Sequence, residues 1–93
     1  MGDQEAEQIA MILDPSVDDS GRIAALEQIS QVDPEMALQL AIRVSEDQEE
    51  GRDTLIAFGR ELARIASSYR WVTEFEIRNM SEVAFNSYCE NLR

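Results

Sequence analysis

Residues 54–69 read as one helix with two apolar stripes, and such an element fits only in the interior of a fold. Leu55, Phe58, Leu62, Ile65 and Tyr69 recur at steps of three and four, which puts them on one helical face. Beside them run Ile56, Gly59, Ala63 and Ala66, small enough on average to let a neighbouring helix come close. Arg60, Glu61, Arg64 and Ser67 take the remaining arc. So wide an apolar face predicts a central packing element. Directly before it stands Ser45–Asp53, an acidic run holding Glu46, Asp47, Glu49, Glu50 and Asp53.

Two conformations are open to that run. Ser45-Glu46-Asp47-Gln48 fits a capping box, Ser45 as N-cap and Gln48 reaching back, which would start the central helix at Glu46. Gly51 weakens this reading by about 1 kcal/mol relative to alanine. The other reading breaks the chain near Gly51 and starts the helix afresh at Asp53 or Thr54.

The flanking segments are helical by the same test. Asp3–Leu13 carries Ala6, Ile9, Ala10 and Leu13 on one face, and Asp14-Pro15-Ser16 stops it, since a residue before proline is pushed out of the helical region. Ser16–Gly21 is a loop with Asp18 and Asp19. Asp19 or Ser20 caps a helix over Gly21–Gln31 whose Ile23, Leu26 and Ile29, with Val32 after them, point inward. Asp33-Pro34-Glu35 is the clearest helix start: an N-cap, a proline at the first position and an acid at the positive end of the dipole. The helix that follows, to about Val44, is apolar nearly all round, which calls for sandwiching or else for an apolar surface shown to a partner; only Gln39 and Arg43 form a polar ridge. Trp71–Ile77 alternates in part like a strand, but Thr73-Glu74-Phe75-Glu76 is a capping box. It predicts a short helix or turn with Trp71, Phe75 and Ile77 tucked inward. Ser81-Glu82 opens a last helix, Glu82–Leu92, with Ala84, Phe85, Tyr88, Cys89 and Leu92 on its inner side. The expected fold is one all-α domain of five or six short helices, arranged as HEAT-like helical pairs or as an irregular helical bundle.

Little catalytic chemistry is available. The chain has no histidine, which removes the commonest general base and metal ligand and every Ser-His or Cys-His pair. The single Cys89 rules out an internal disulfide, suits a reducing compartment, and on its apolar stripe reads as a buried inert thiol. Glu46 with Glu50 and Glu49 with Asp53 are carboxylate pairs at i,i+4, but catalytic acids need a pocket to split their pKa values, whereas a solvated face needs nothing. The Asp-rich loops lack EF-hand spacing, and Gly51 and Gly59 belong to no phosphate loop. The expectation is a non-enzyme with no cofactor and no metal. No run approaches the ~18 apolar residues of a membrane span. The N-terminal MGDQEAE lacks a signal-peptide pattern, and Ala6 stands where a myristoylation motif needs Ser or Thr. A cytoplasmic protein is expected.

Binding remains. Nineteen acids against eight bases, all of them arginine, give a formal net charge of −11. That disfavours nucleic acid and anionic membranes and favours a basic protein partner, although solubility alone would also account for it. Three surfaces compete. The first is Glu46, Asp47, Glu49, Glu50 and Asp53, joined by Asp18 and Asp19 if successive helical pairs stack side by side. The second is Tyr69, Trp71 and Phe75; the third is the N-terminal Asp3, Glu5 and Glu7.

Gly21-Arg22 recurs as Gly51-Arg52 thirty residues on, each after an acidic loop and before an apolar helix. The stretch Asp18-Asp19-Ser20-Gly21-Arg22-Ile23-Ala24-Ala25-Leu26-Glu27-Gln28-Ile29 resembles the first helix of a HEAT-type repeat, over about residues 16–66, with Gly59 where the first unit has Ile29. The segment Trp71-Val72-Thr73-Glu74-Phe75-Glu76-Ile77-Arg78-Asn79-Met80-Ser81 resembles the tail of HEAT-like helical proteins. Together with the charge, the pattern is similar to that of small acidic immunity proteins of bacterial toxin systems, including contact-dependent growth inhibition. The resemblance implies an inhibitor, monomeric on its own, whose acidic patch covers the basic nucleic-acid surface of a nuclease toxin. It assigns no role to individual residues. A helical adaptor for a non-toxin protein is the alternative.

Overall fold

The computed structural model describes residues 2–92, the side chains at positions 2 and 3 excepted, so the Asp3 carboxylate of the third candidate surface lies outside the described residues. The described chain forms six helices and no strand: α1 (Gly2–Leu13), α2 (Asp19–Val32), α3 (Pro34–Ser45), α4 (Arg52–Ser68), α5 (Glu74–Ile77) and α6 (Glu82–Asn91). The all-α expectation holds.

Local chemistry sets most of the boundaries. The Asp14 carboxylate accepts from the backbone N–H and the hydroxyl of Ser16, turning the chain after α1. Asp18, rather than Asp19 or Ser20, is the N-cap of α2 and accepts from the Gly21 N–H. Asp33 caps α3 through the Met36 N–H, with Pro34 at the first position. Thr73 and Glu76 complete the capping box of α5, and Ser81 caps α6 through the Ala84 N–H. The box at Ser45 does not form. Ser45 is the last residue of α3, its buried hydroxyl finds no partner, and its carbonyl accepts from the Ser81 N–H. The acidic run is therefore a loop, and α4 begins at Arg52 behind Gly51 as N-cap.

Consecutive helices pack on one another, α1 on α2, α2 on α3, α3 on α4, and α4 also holds α2 and α6. The central helix is buried along Leu55, Phe58, Leu62 and Ile65 and along Gly59, Ala63 and Ala66. Gly59 explains the close contact with α6: a Cβ there would lie 2.9 Å from the Ser87 Cβ and closer still to the Ala84 carbonyl oxygen. Ser87 reinforces the crossing by donating its hydroxyl to the Ile56 carbonyl at 2.6 Å. α3 is sandwiched as its composition demands, with Ala37, Leu38, Leu40, Ala41, Ile42 and Val44 all buried.

Several inward positions are otherwise. In α1 the fully buried residue is Ile12, with Ile9 and Leu13 partly buried against the core, while Ala6 and Ala10 are exposed. Val32, at the end of α2, stands 81% exposed. Glu61 is buried and bonded to Arg64 at 2.9 Å, whereas Tyr69 has left the helix and faces solvent. Trp71 and Phe75 are exposed, because a single turn such as α5 is too short to fold both aromatics under itself. Cys89 is exposed, not buried.

Candidate functional site

The loop between α3 and α4 is tightly folded for a stretch so rich in charge. The Asp47 N–H bonds the Val44 carbonyl and the Glu50 N–H bonds the Asp47 carbonyl, while the Asp47 carboxylate accepts from the Glu49 N–H at 2.9 Å. Asp47 thus organises its own turn, as Asp side chains do.

What holds this loop against the body is an ion pair that the sequence pattern did not reveal. Glu50 turns inward and receives both terminal nitrogens of Arg22, at 3.0 and 2.7 Å. The Arg22 Nε donates to the Ile12 carbonyl at 2.8 Å, and its guanidinium carbon lies 5.3 Å from the centroid of the Phe58 ring. Side-chain exposure is 1% for Arg22 and 7% for Glu50. Three of the five guanidinium N–H groups are thereby bonded, and the planar ring beneath makes the burial tolerable. A second link is parallel to the first: the Thr54 hydroxyl donates to Asp19 at 2.6 Å. Through these two bonds the start of α2 is fastened to the acidic loop and the start of α4.

The seven acidic residues proposed for partner binding therefore divide. The structure does bring the Asp18–Asp19 corner beside the acidic run. Asp18, Asp47, Glu49 and Asp53 are exposed, Asp19 and Glu46 are half-buried, and Glu50 is taken up inside by Arg22. Glu50 is thus a fastener and not a free partner contact. The i,i+4 pairing of Glu46 with Glu50 does not arise, because residues 46–51 are not helical. Among the described residues no three Cys, Asp or Glu side chains converge as a metal site. The Gly-Arg repeat is not structural either: Gly21 lies inside the first turn of α2 and Arg22 is buried, whereas Gly51 is itself an N-cap and Arg52 is exposed.

The aromatic group lies beyond the other end of α4, about 25 Å along a 17-residue helix. Arg70 fixes that end. It reaches both oxygens of Glu35, each at 2.9 Å, and both of Glu76, at 3.0 and 2.9 Å. Gln39 joins both carboxylates from α3. The bonds from Arg70 hold the Glu35 and Glu76 carboxyls down to about 2. With its backbone fixed this way, the segment leaves Trp71 59% and Phe75 76% exposed.

The signal for Arg22 was present in the sequence. Arg22, Leu26 and Ile29 are spaced i, i+4, i+7, so the arginine occupies the apolar stripe of its own helix. An arginine in that position is either strained or paired. Its partner, twenty-eight residues away, could be any of the nearby acids.

Comparison with protein-family models, curated proteins and solved structures found no match.

Proposed function

We propose that this chain is a protein-binding inhibitor, an immunity protein that neutralises a basic nuclease toxin by covering its nucleic-acid-binding or active-site surface. The observation that carries this reading is the anchored acidic loop. Asp47 and Glu49 face solvent from a turn fixed by the buried Arg22–Glu50 pair, with Asp53 exposed in the first turn of α4 and Asp18 beside them. Preorganised like charges of this kind speed the encounter with a cationic cleft and lose little entropy on binding. A cytoplasmic site of action accords with this role.

The test is a pull-down from cells that make the protein, followed by a nuclease assay on the basic protein that copurifies. The reading expects nuclease activity that the purified chain suppresses; recovery of only non-nuclease or acidic partners contradicts it. A helical adaptor for a non-toxin partner is the second reading, favoured by the exposed Trp71 and Phe75. Aromatic anchors hold a partner whatever its activity, and the nuclease assay separates the two.

A further inference from the structure

A second surface adjoins the acidic loop. Between α5 and the start of α6 lies a cleft of about 380 Å³ lined by Glu74, Ile77, Arg78, Met80, Glu82 and Phe85. Its place in the fold ties it to the loop: Met80 and Glu82 flank Ser81, whose N–H bonds the Ser45 carbonyl at 2.8 Å, and Glu46 follows Ser45. Arg78 lies 5.6 Å from the centroid of the exposed Phe75 ring. The lining thus joins two carboxylates, Glu74 and Glu82, to the apolar Ile77, Met80 and Phe85, and its one cation, Arg78, lies beside an aromatic face.

We propose that this cleft seats an apolar side chain that a basic protein partner presents between lysines or arginines. The proposal rests on the reading of a basic partner made above and names that partner's anchor. The charge decides the occupant. A second copy of this chain would bring another net charge of −11 against the first, and nucleic acid or anionic lipid would be repelled in the same way. A cationic segment places its charges by Glu74 and Glu82 while its apolar residue fills the floor formed by Ile77, Met80 and Phe85. Rim charges give speed and orientation, and the filled apolar pocket gives the slow dissociation that acids alone do not.

The test uses the isotope-labelled full chain titrated with an amphipathic leucine–lysine peptide, followed residue by residue by NMR. Oligolysine of the same length and the leucine–glutamate counterpart are the controls. The expected result is movement of the Ile77, Met80 and Phe85 signals with the leucine–lysine peptide, with both controls weaker. Phe85→Ala and Glu74→Arg should each weaken that binding about tenfold or more, while Asp47→Lys changes it less. Glu74 is exposed, so its variant keeps the fold even if Phe85→Ala does not. Signal changes confined to residues 46–53, equal binding by either control, or unchanged affinity in Glu74→Arg would overturn the proposal. If the cleft fails while charge reversal in the acidic loop still slows association with a copurified nuclease, only the cleft is lost. If the peptide seats in the cleft but the basic protein that copurifies has no nuclease activity, the inhibitor reading is lost and the cleft stands.

Discussion

Arg22 and Glu50 are the residues whose removal separates fold from surface. Both are buried and joined by two hydrogen bonds, so deleting one leaves the other an uncompensated interior charge. Breaking such a pair costs about 3–5 kcal/mol. Glu50→Ala should therefore lower unfolding free energy by that amount in urea denaturation. Glu49→Gln, one residue earlier and exposed, should stay within about 0.5 kcal/mol. Equal, small effects would mean that the pair does not anchor the loop. At this scale the sequence was only half legible. The spacing of Arg22 with Leu26 and Ile29 puts it on the apolar stripe of α2, a signal for the burial that the structure shows, but loop acids such as Glu46, Asp47, Glu49 and Glu50 are equivalent until tertiary structure picks one.

Elements were read best where the signal was local. Asp33, Thr73 and Ser81 cap α3, α5 and α6 because each cap is satisfied within its own first turn. In place of the box at Ser45 the structure has contacts from distant groups: Ser81 takes the Ser45 carbonyl and Arg22 takes Glu50. The burial of Trp71 and Phe75 was misjudged for a related reason, since hydrophobicity argues for the interior but one turn of helix supplies no cover. The small stripe of α4 marks a close helix contact in the sequence, the structure names α6 as the neighbour, and substitution there has a reversed sign. Glycine to alanine inside a helix normally stabilises by up to about 1 kcal/mol. Gly59→Ala should instead destabilise by about 1–3 kcal/mol, because the new methyl group meets α6 backbone. A higher Tm for Gly59→Ala would show that α6 is free to move aside.

The Arg70 network makes the stability of this end of the fold sensitive to acid. Glu35 and Glu76 sit at about 2 in the folded chain against an ordinary value of 4.5. A depressed carboxyl contributes stability in full above its unfolded value and loses it as the pH falls through the folded one. Tm should accordingly drop between pH 4.5 and 2, and Glu76→Gln should flatten that slope. The Glu35 side chain is 43% exposed against 17% for Glu76, so its share is more strongly screened and the Glu76 share dominates. The same slope in wild type and Glu76→Gln would assign the acid sensitivity to other carboxylates.

Across the whole molecule, charge and shape divide the work. Composition motivates the proposal of a basic partner, and the fold gives the arrangement: the loop between α3 and α4, the Asp18–Asp19 corner and the α5–α6 cleft adjoin one another through the Arg22–Glu50, Thr54–Asp19 and Ser81–Ser45 bonds. None of these three joints links neighbours in sequence, which is why the surface was legible only as separate pieces. The claim that this acidic loop receives the partner is tested most directly by stopped-flow association of the copurified basic partner with Asp47→Lys/Glu49→Lys. The expected outcome is an unchanged circular dichroism spectrum and an association rate about tenfold or more slower at low salt, the difference shrinking as salt is raised. An association rate equal to that of the unaltered chain, with the fold intact, would contradict it.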